Sequence, residues 1–174
     1  MTETNALTGW ASLRMLTPYQ WFVFAVCCLA WDLDCLDQQL FILARDPAIA
    51  ALTGLSVGDK VVASYGTQAT SVFMIGWAVG GVFFGVMGDR LGRVKTLTAT
   101  IALYAFFTGF SALSVGVTDF MVYRFLTGLG VGGAFAAAVV LLAETVPDAP
   151  RPYVLGMFQA SSVLGNCSAA LISL

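Results

Sequence analysis

Five long apolar runs, separated by short polar segments, dominate the pattern of hydrophobic and polar positions along the chain. They cover residues 21–43, 66–86, 96–115, 119–143 and 153–174. Each run is close to the roughly 20 residues that a helix needs to cross the apolar part of a bilayer. The pattern therefore predicts an all-α, multi-pass membrane protein with about five transmembrane helices. The lipid bilayer is then an expected partner of the protein.

The polar segments between the runs complete this organisation. Residues 1–18 are polar and mixed, and we predict a short tail exposed to water. Residues 44–62, which include Arg45, Asp46 and Pro47, are predicted to form a loop between the first two helices. The membrane domain is then expected to occupy residues 19–174.

Composition supports the membrane assignment. Hydrophobic residues make up 59% of the chain and charged residues 10%, whereas a soluble domain has about 25% charged residues. There is no basic stripe interleaved with aromatic residues, so no nucleic-acid partner is expected. The chain has no histidine and no C-x-x-C pair, and no pair of nucleophile and base stands out. We therefore predict no metal site, no cofactor and no enzymatic activity.

The distribution of basic residues predicts the orientation. If the N-terminus lies inside, one side of the membrane carries five Lys or Arg residues and the other carries two, Arg45 and Lys60. Basic residues concentrate on the cytoplasmic side of membrane proteins. We therefore predict a plasma (inner) membrane protein whose N-terminus is cytoplasmic. The five residues on that side are Arg14, Arg90, Arg93, Lys95 and Arg151.

Ionisable residues inside the apolar runs are the candidate functional residues. Asp34 and Asp37 lie three residues apart in the first run, about 60° apart on a helix, and Arg124 lies in the fourth. A charge inside a membrane costs several kcal/mol unless it faces a wet cavity or a partner. We predict that Asp34 and Asp37, with Arg124 as counter-charge, form a site that takes up and releases protons inside the membrane, and that Gln38 and Gln159 line the same cavity. The alternative is a polar loop between two short apolar pieces.

The segment between the second and third runs carries a specific motif. The spacing G-x-x-x-D-R-x-G-R, formed here by Gly85, Asp89, Arg90, Gly92 and Arg93, resembles the loop signature between the second and third helices of the major facilitator superfamily. The position after the last arginine, where that family usually carries a basic residue, is a valine in this chain.

Two further patterns strengthen the resemblance. Arg124, Gly128 and Gly130 are similar to the R-x-x-x-G-x-G pattern of the family's fourth helix. The form E-x-x-P-x-x-x-R, which begins at Glu144, resembles a segment found in many of its sugar and organic-acid transporters. Glu144 ends a predicted helix, where the helix dipole disfavours an anion. It is therefore expected to pair with a cation, and Arg93 is the first candidate.

The resemblance implies a fold and a function. Transporters of this superfamily consist of two six-helix halves. Residues 19–174 are therefore expected to form an incomplete N-terminal half of such a transporter, and its C-terminal half is expected to be missing from this chain. The expected function is secondary active transport of a small solute by alternating access, coupled to protons. The motif residues, together with Glu144, are expected to form the gate.

The implied substrate is less specific than the implied fold. Asp34-Cys35-Leu36-Asp37 resembles the D-G-x-D pattern of aromatic-acid and related carboxylate:proton symporters, with a cysteine in place of the glycine. The segment that begins at Glu144 fits sugar and metabolite symporters equally. The alternatives are a drug:proton antiporter and a membrane subunit that transports nothing.

Overall fold

The computed structural model describes residues 9–172. This part of the chain forms a short 3₁₀ helix and five α-helices and contains no strand, which confirms the all-α prediction. The 3₁₀ helix spans Gly9–Met15, and the α-helices are α1 (Pro18–Thr53), α2 (Lys60–Leu91), α3 (Arg93–Ser111), α4 (Val117–Thr145) and α5 (Arg151–Ile172). By length and composition, α1, α2, α4 and α5 are each able to cross a membrane. The shorter α3 packs along α4 and α2.

Helix α1 is longer than the sequence predicts, and the loop predicted over residues 44–62 is confined to residues 54–59. The helix continues through Pro47 to Thr53 and ends at Gly54, whose φ of 70° is the left-handed conformation of a helix C-cap. Burial explains the extension, because Ile49 and Ala50 pack in an apolar cluster with Val62 of α2. This packing outweighs the hydrogen bond that a proline removes from a helix.

Helices α2 and α4 approach so closely that their backbones touch. A Cβ atom at Gly76 or Gly80 of α2 would overlap a backbone carbonyl of α4, and one at Gly128 or Gly132 of α4 would overlap a carbonyl of α2. Only glycine leaves room for this contact. This contact fixes the position of α2 and α4 relative to each other along their axes, and with it the level at which their side chains lie in the bundle.

The other helices pack around this pair. The backbone carbonyl of Asp32 on α1 lies against Gly165 of α5, where a side chain would not fit. The side chains of the largest buried cluster come from α1, α3, α4 and α5, and Leu142 and Phe158 are among its most buried members. Four helices therefore share one apolar core, and polar side chains within it stand out.

The described part of the predicted N-terminal tail is folded against the bundle. Ser12 is buried, and the Trp10 ring lies 5.1 Å from the ring of Tyr153 on α5. Thr17 caps α1 in a capping box with Gln20, and the Gln20 amide also donates a hydrogen bond of 2.8 Å to the carbonyl of Thr145 on α4. Residues 1–8 of the predicted tail lie outside the described residues.

Candidate functional site

The first candidate site is a cavity of about 250 Å³ between α1, α2, α4 and α5, here called the Asp34 cavity. Two of the sequence-predicted residues, Asp34 and Gln38, line it. Its other lining residues are mostly aromatic or apolar, with one amide from α5. They are Trp31, Cys35, Phe73, Met74, Trp77, Val131 and Asn166.

Asp34 is the buried acid of this cavity. Asp34 is only 2% exposed, and its Oδ1 atom has no hydrogen-bond partner among the described residues. The phenol of Tyr104 on α3 lies beside the same carboxyl group. An acid in this position costs free energy unless it can change its charge or find a partner.

Aromatic rings form one wall of the Asp34 cavity. The ring of Trp31 lies 4.6 Å from that of Phe135, and Phe135 lies 6.0 Å from Trp77 and 6.1 Å from Phe158. These distances are within the range of favourable aromatic contacts. These rings join α1, α2, α4 and α5, and Trp31 and Trp77 bring their aromatic faces to the cavity beside the carboxyl group.

A second cavity of about 320 Å³ lies between α1, α3 and α4, here called the Arg124 cavity. Asp37 and Arg124 both line it, together with Thr108 and Arg45. Arg45 is already engaged, because it lies 3.3 Å from the carboxylate of Asp46 and donates a hydrogen bond of 2.9 Å to Thr70. Asp37 and Arg124 are therefore the groups of opposite charge that share this space.

Arg124 is held mainly by aromatic rings. It is 2% exposed, and its guanidinium carbon lies 3.7 Å from the centroid of the Phe41 ring and 5.2 Å from that of Phe73. Within residues 9–172, its Nε and Nη2 atoms have no hydrogen-bond partner, and it forms no direct ion pair with Asp37. The two rings are in direct contact with the guanidinium, and Asp37 lines the same cavity.

The structure thus divides the predicted site into two parts. Asp34 and Gln38 line one cavity, and Asp37 and Arg124 line the other. Gln159 lines neither of them and is exposed on α5. Asn166, two helical turns further along α5, reaches the Asp34 cavity and accepts a hydrogen bond of 3.1 Å from Gln39.

The residues predicted to form a gate meet at the turn between α2 and α3. Arg93 donates hydrogen bonds of 3.1 to 3.3 Å to the carboxylate of Glu144 on α4 and one of 3.3 Å to the carbonyl of Gly85, and it also contacts the Asp89 carboxylate. The ion pair expected between Arg93 and Glu144 is therefore present. These hydrogen bonds to Glu144, followed by those to Asp89, raise the pKa of Arg93. We call Gly85, Asp89, Arg93 and Glu144 the Arg93 cluster.

The backbone of the turn makes this cluster possible. Gly92 alone joins α2 to α3, and its φ of 93° is a conformation that glycine adopts without strain. Arg93 also lies directly over Gly88, where a Cβ would come within 3.0 Å of its Nη1. Arg90, the other predicted basic residue, is exposed and makes no ion pair within the described residues.

Several residues of the two cavities were not predicted from the sequence. Phe41 and Phe73 hold Arg124, and both lie in apolar stretches where nothing distinguishes them from other phenylalanines. Tyr104 and Thr108 on α3 lie beside the two acids. The sequence contains a weak indication of these two residues. Hydroxyl side chains recur on α3 every four residues, at Thr96, Thr100, Tyr104 and Thr108.

Comparison with known proteins identifies the family of the chain. The family model of the Major Facilitator Superfamily matches residues 21–174. The chain is 33% identical to the 4-hydroxybenzoate transporter PcaK of Pseudomonas aeruginosa over 98% of its own length and 37% of the relative's. It is 33% identical to the niacin transporter NiaP of Acinetobacter baylyi over 83% of its length and 31% of the relative's.

A third relative extends this set. The cis,cis-muconate transport protein of Acinetobacter baylyi is 36% identical over 59% of the chain and 25% of the relative. The chain thus spans between about a quarter and two fifths of the length of these curated relatives. The match to the family model covers most of the chain and overlaps each of the four helices that, within residues 9–172, are able to span a membrane. The chain therefore belongs to the Major Facilitator Superfamily of multi-pass membrane proteins.

Proposed function

We propose that this chain is the N-terminal part of a secondary active transporter that moves a small organic acid by alternating access and is driven by protons. The observation that carries the proposal is the state of Asp34 on α1. This acid is buried, it lines a cavity between the helices, and one of its oxygens has no hydrogen-bond partner among the described residues. Proton coupling requires a carboxyl group that changes its charge inside the membrane. A bundle with a purely structural role has no use for such a group.

The wall of the Asp34 cavity supports a flat, partly apolar substrate. Trp31 and Trp77 offer aromatic faces, while Gln38 and Asn166 offer amide hydrogen bonds. The relatives named above include transporters of 4-hydroxybenzoate, niacin and cis,cis-muconate. No Lys or Arg lines this cavity within the described residues, so we propose that a substrate carboxylate is bound by a cation from the rest of the transporter.

The Arg93 cluster is proposed to act as a gate on the cytoplasmic side. It joins α2, α3 and α4 through charged hydrogen bonds at one end of the bundle, away from both cavities. The orientation rests on the excess of basic residues at this end, which includes Arg90 and Lys95. Closure would need an acidic or dipolar partner from the missing half of the transporter.

The experiment is uptake by the full-length protein in proteoliposomes with an imposed proton gradient, acidic outside. Labelled 4-hydroxybenzoate is the first substrate, and unlabelled niacin, cis,cis-muconate and glucose are competitors. We expect saturable accumulation that collapses with a protonophore and competition by acids but not by glucose. Strong competition by glucose would replace the organic-acid class with a sugar-like metabolite.

Variants then test the coupling residue. Asp34→Asn should abolish accumulation but retain substrate counterflow, because exchange of substrate needs no net proton movement. Asp148→Asn is the matched control, since this acid is 92% exposed in the turn between α4 and α5. Normal accumulation by Asp34→Asn would refute its coupling role. Transport driven only by the reversed gradient would indicate antiport, and no saturable transport would indicate a non-transporting subunit.

A further inference from the structure

Two hydroxyl side chains of α3 match the two acids of α1 in order and spacing. Tyr104 packs on Phe73 and Val131 of the Asp34 cavity and acts on the Asp34 carboxyl group, and Thr108 lines the Arg124 cavity together with Asp37. Helices joined by short turns run in opposite directions, so α1 and α3 run in the same direction and the matched order is consistent. The acids are separated by about 4.5 Å of helical rise and the hydroxyls by about 6 Å. Each carboxyl group therefore has its own hydroxyl at about its own height.

Tyr104 is held in place by rigid packing. It is 8% exposed and packs with Phe73 and Val131, which both line the Asp34 cavity. Its backbone lies so close to α4 that a Cβ at Gly130 would come within 2.8 Å of the Tyr104 nitrogen and Cβ. The phenol can therefore move little relative to Asp34.

Thr108 differs from the threonines that precede it on α3. Thr96, Thr98 and Thr100 each donate their hydroxyl to the carbonyl four residues earlier. Thr108 makes no such bond, and its side chain lines the Arg124 cavity together with Asp37. Its hydroxyl is thus available to a neighbour on another helix.

We propose that Tyr104 and Thr108 are positioning residues, and that each hydroxyl holds one carboxyl group of α1 in the orientation from which it takes up and releases a proton. This inference rests on the proposed proton coupling. A hydroxyl suits both states of an acid, because it donates to the ionised carboxylate and accepts from the protonated one. Helix α3 would then belong to the coupling machinery.

The two acids have different electrostatic surroundings. Asp37 and Cys35 are the titratable neighbours of Asp34 on α1, Tyr104 is the one on α3, and Arg124 of α4 acts on Asp37. Asp37 therefore faces a cation and a hydroxyl, while Asp34 faces a phenol, aromatic rings and the charge of Asp37. Loss of the phenol should affect the protonation of Asp34 more than that of Asp37.

The test compares variants of the full-length protein that differ by one hydroxyl. Tyr104→Phe removes only the phenol oxygen, and Tyr123→Phe is its control because Tyr123 packs on Phe107 and Phe110 instead. Thr108→Val removes the second hydroxyl, Thr108→Ser retains it, and Thr98→Val is a control on the exposed face of α3. The measurements are proton-driven uptake of 4-hydroxybenzoate against pH, counterflow, and the amount of folded protein in the membrane.

We expect half-maximal uptake by Tyr104→Phe to move to higher pH by about one unit, because the ionised carboxylate loses a hydrogen-bond donor. Counterflow should stay within about twofold of the unmodified protein, since positioning of a proton does not limit exchange. Thr108→Val should shift the profile less, and Thr108→Ser should restore it. Both control variants should keep the original profile.

The outcomes separate this inference from the proposed function. An unmoved pH profile in Tyr104→Phe, with or without loss of folded protein, would overturn the positioning role while Asp34→Asn still loses accumulation. A shift in the pH profile of uptake by Tyr104→Phe that persists when Asp37→Asn is added would support it. Normal accumulation by Asp34→Asn would overturn both the coupling and the positioning.

Discussion

The guanidinium of Arg124 on α4 is stacked over the ring of Phe41 on α1, with its carbon 3.7 Å from the ring centroid. This contact crosses the bundle at the level of the Arg124 cavity, where Asp37 also lies. A buried cation needs either an anion or a polarisable surface, and here the aromatic surface is in direct contact. The position of Arg124 therefore depends on Phe41 as much as on any acid.

Replacement of Phe41 should destabilise the bundle and displace Arg124. Phe41→Leu retains most of the apolar volume but removes the ring, so we expect a loss of about 1–2 kcal/mol of unfolding free energy. Phe106→Leu is the control, because Phe106 is 56% exposed on α3. Thermal unfolding of the purified protein in detergent gives the comparison. Equal melting temperatures for the two variants would contradict the cation–π contact.

The Arg93 cluster predicts an incomplete charge-swap rescue. Glu144→Arg should lower transport on the order of tenfold, because it removes charge-assisted hydrogen bonds and places two arginines together. The double variant with Arg93→Glu should recover part of the activity, but the new glutamate would face Asp89. Adding Asp89→Asn should therefore recover more.

Uptake rates normalised to protein in the membrane measure this prediction. Arg90→Gln serves as the matched control, because Arg90 lies in the same turn and is exposed. The control should keep at least about half of normal transport, as expected for a surface charge. If the double variant recovers nothing, Arg93 and Glu144 do not act as a pair.

The contact between α2 and α4 predicts different effects of glycine replacement at two positions. Gly132→Ala places a methyl group into a backbone carbonyl of α2 and should cost at least about 1–3 kcal/mol. Gly156→Ala on α5 meets no atom within 4 Å and should leave stability unchanged or raise it by up to about 1 kcal/mol. Melting temperatures in detergent decide this. Similar values for the two variants would argue against the close contact.

The extended α1 makes a further prediction about stability. Pro47 interrupts the hydrogen bonds of a continuous helix, so Pro47→Ala should raise stability, by up to about 3 kcal/mol. Gly54 ends the helix with a positive φ and open space around it, so Gly54→Ala should cost about 1 kcal/mol through backbone strain alone. Chemical denaturation followed by circular dichroism measures both. A loss of stability in Pro47→Ala would contradict the destabilising effect assigned to Pro47 in α1.

The sequence predicted the helices well and their ends less well. Apolar runs identify membrane segments because each must satisfy its own backbone in lipid. The end of α1 was missed because Arg45, Asp46 and Pro47 resemble a turn, whereas the burial of Ile49 against α2 decides the outcome. That burial depends on a contact between helices, which periodicity within one helix does not reveal.

The candidate site was predicted in its charges but not in its surroundings. Acids in an apolar run are conspicuous, so Asp34, Asp37 and Arg124 could be found from the sequence. Their division between two cavities depends on the rotation of each helix, and so does the exposure of Gln159. Tyr104 was hidden for the same reason, since a tyrosine in an aromatic helix has no special signal until a neighbour on another helix is known.

The glycine contact between α2 and α4 also has a mechanical consequence. Where side chains separate two helices, a change of rotamers lets one helix slide past the other. Gly80 and Gly132 leave no such layer, because carbonyl groups rest directly on the opposite backbone. Sliding would drive main-chain atoms into each other. These two helices therefore resist movement along each other's axis and should tilt together as one rigid body. We therefore expect any sliding of helices within this bundle to involve the other helices rather than this pair.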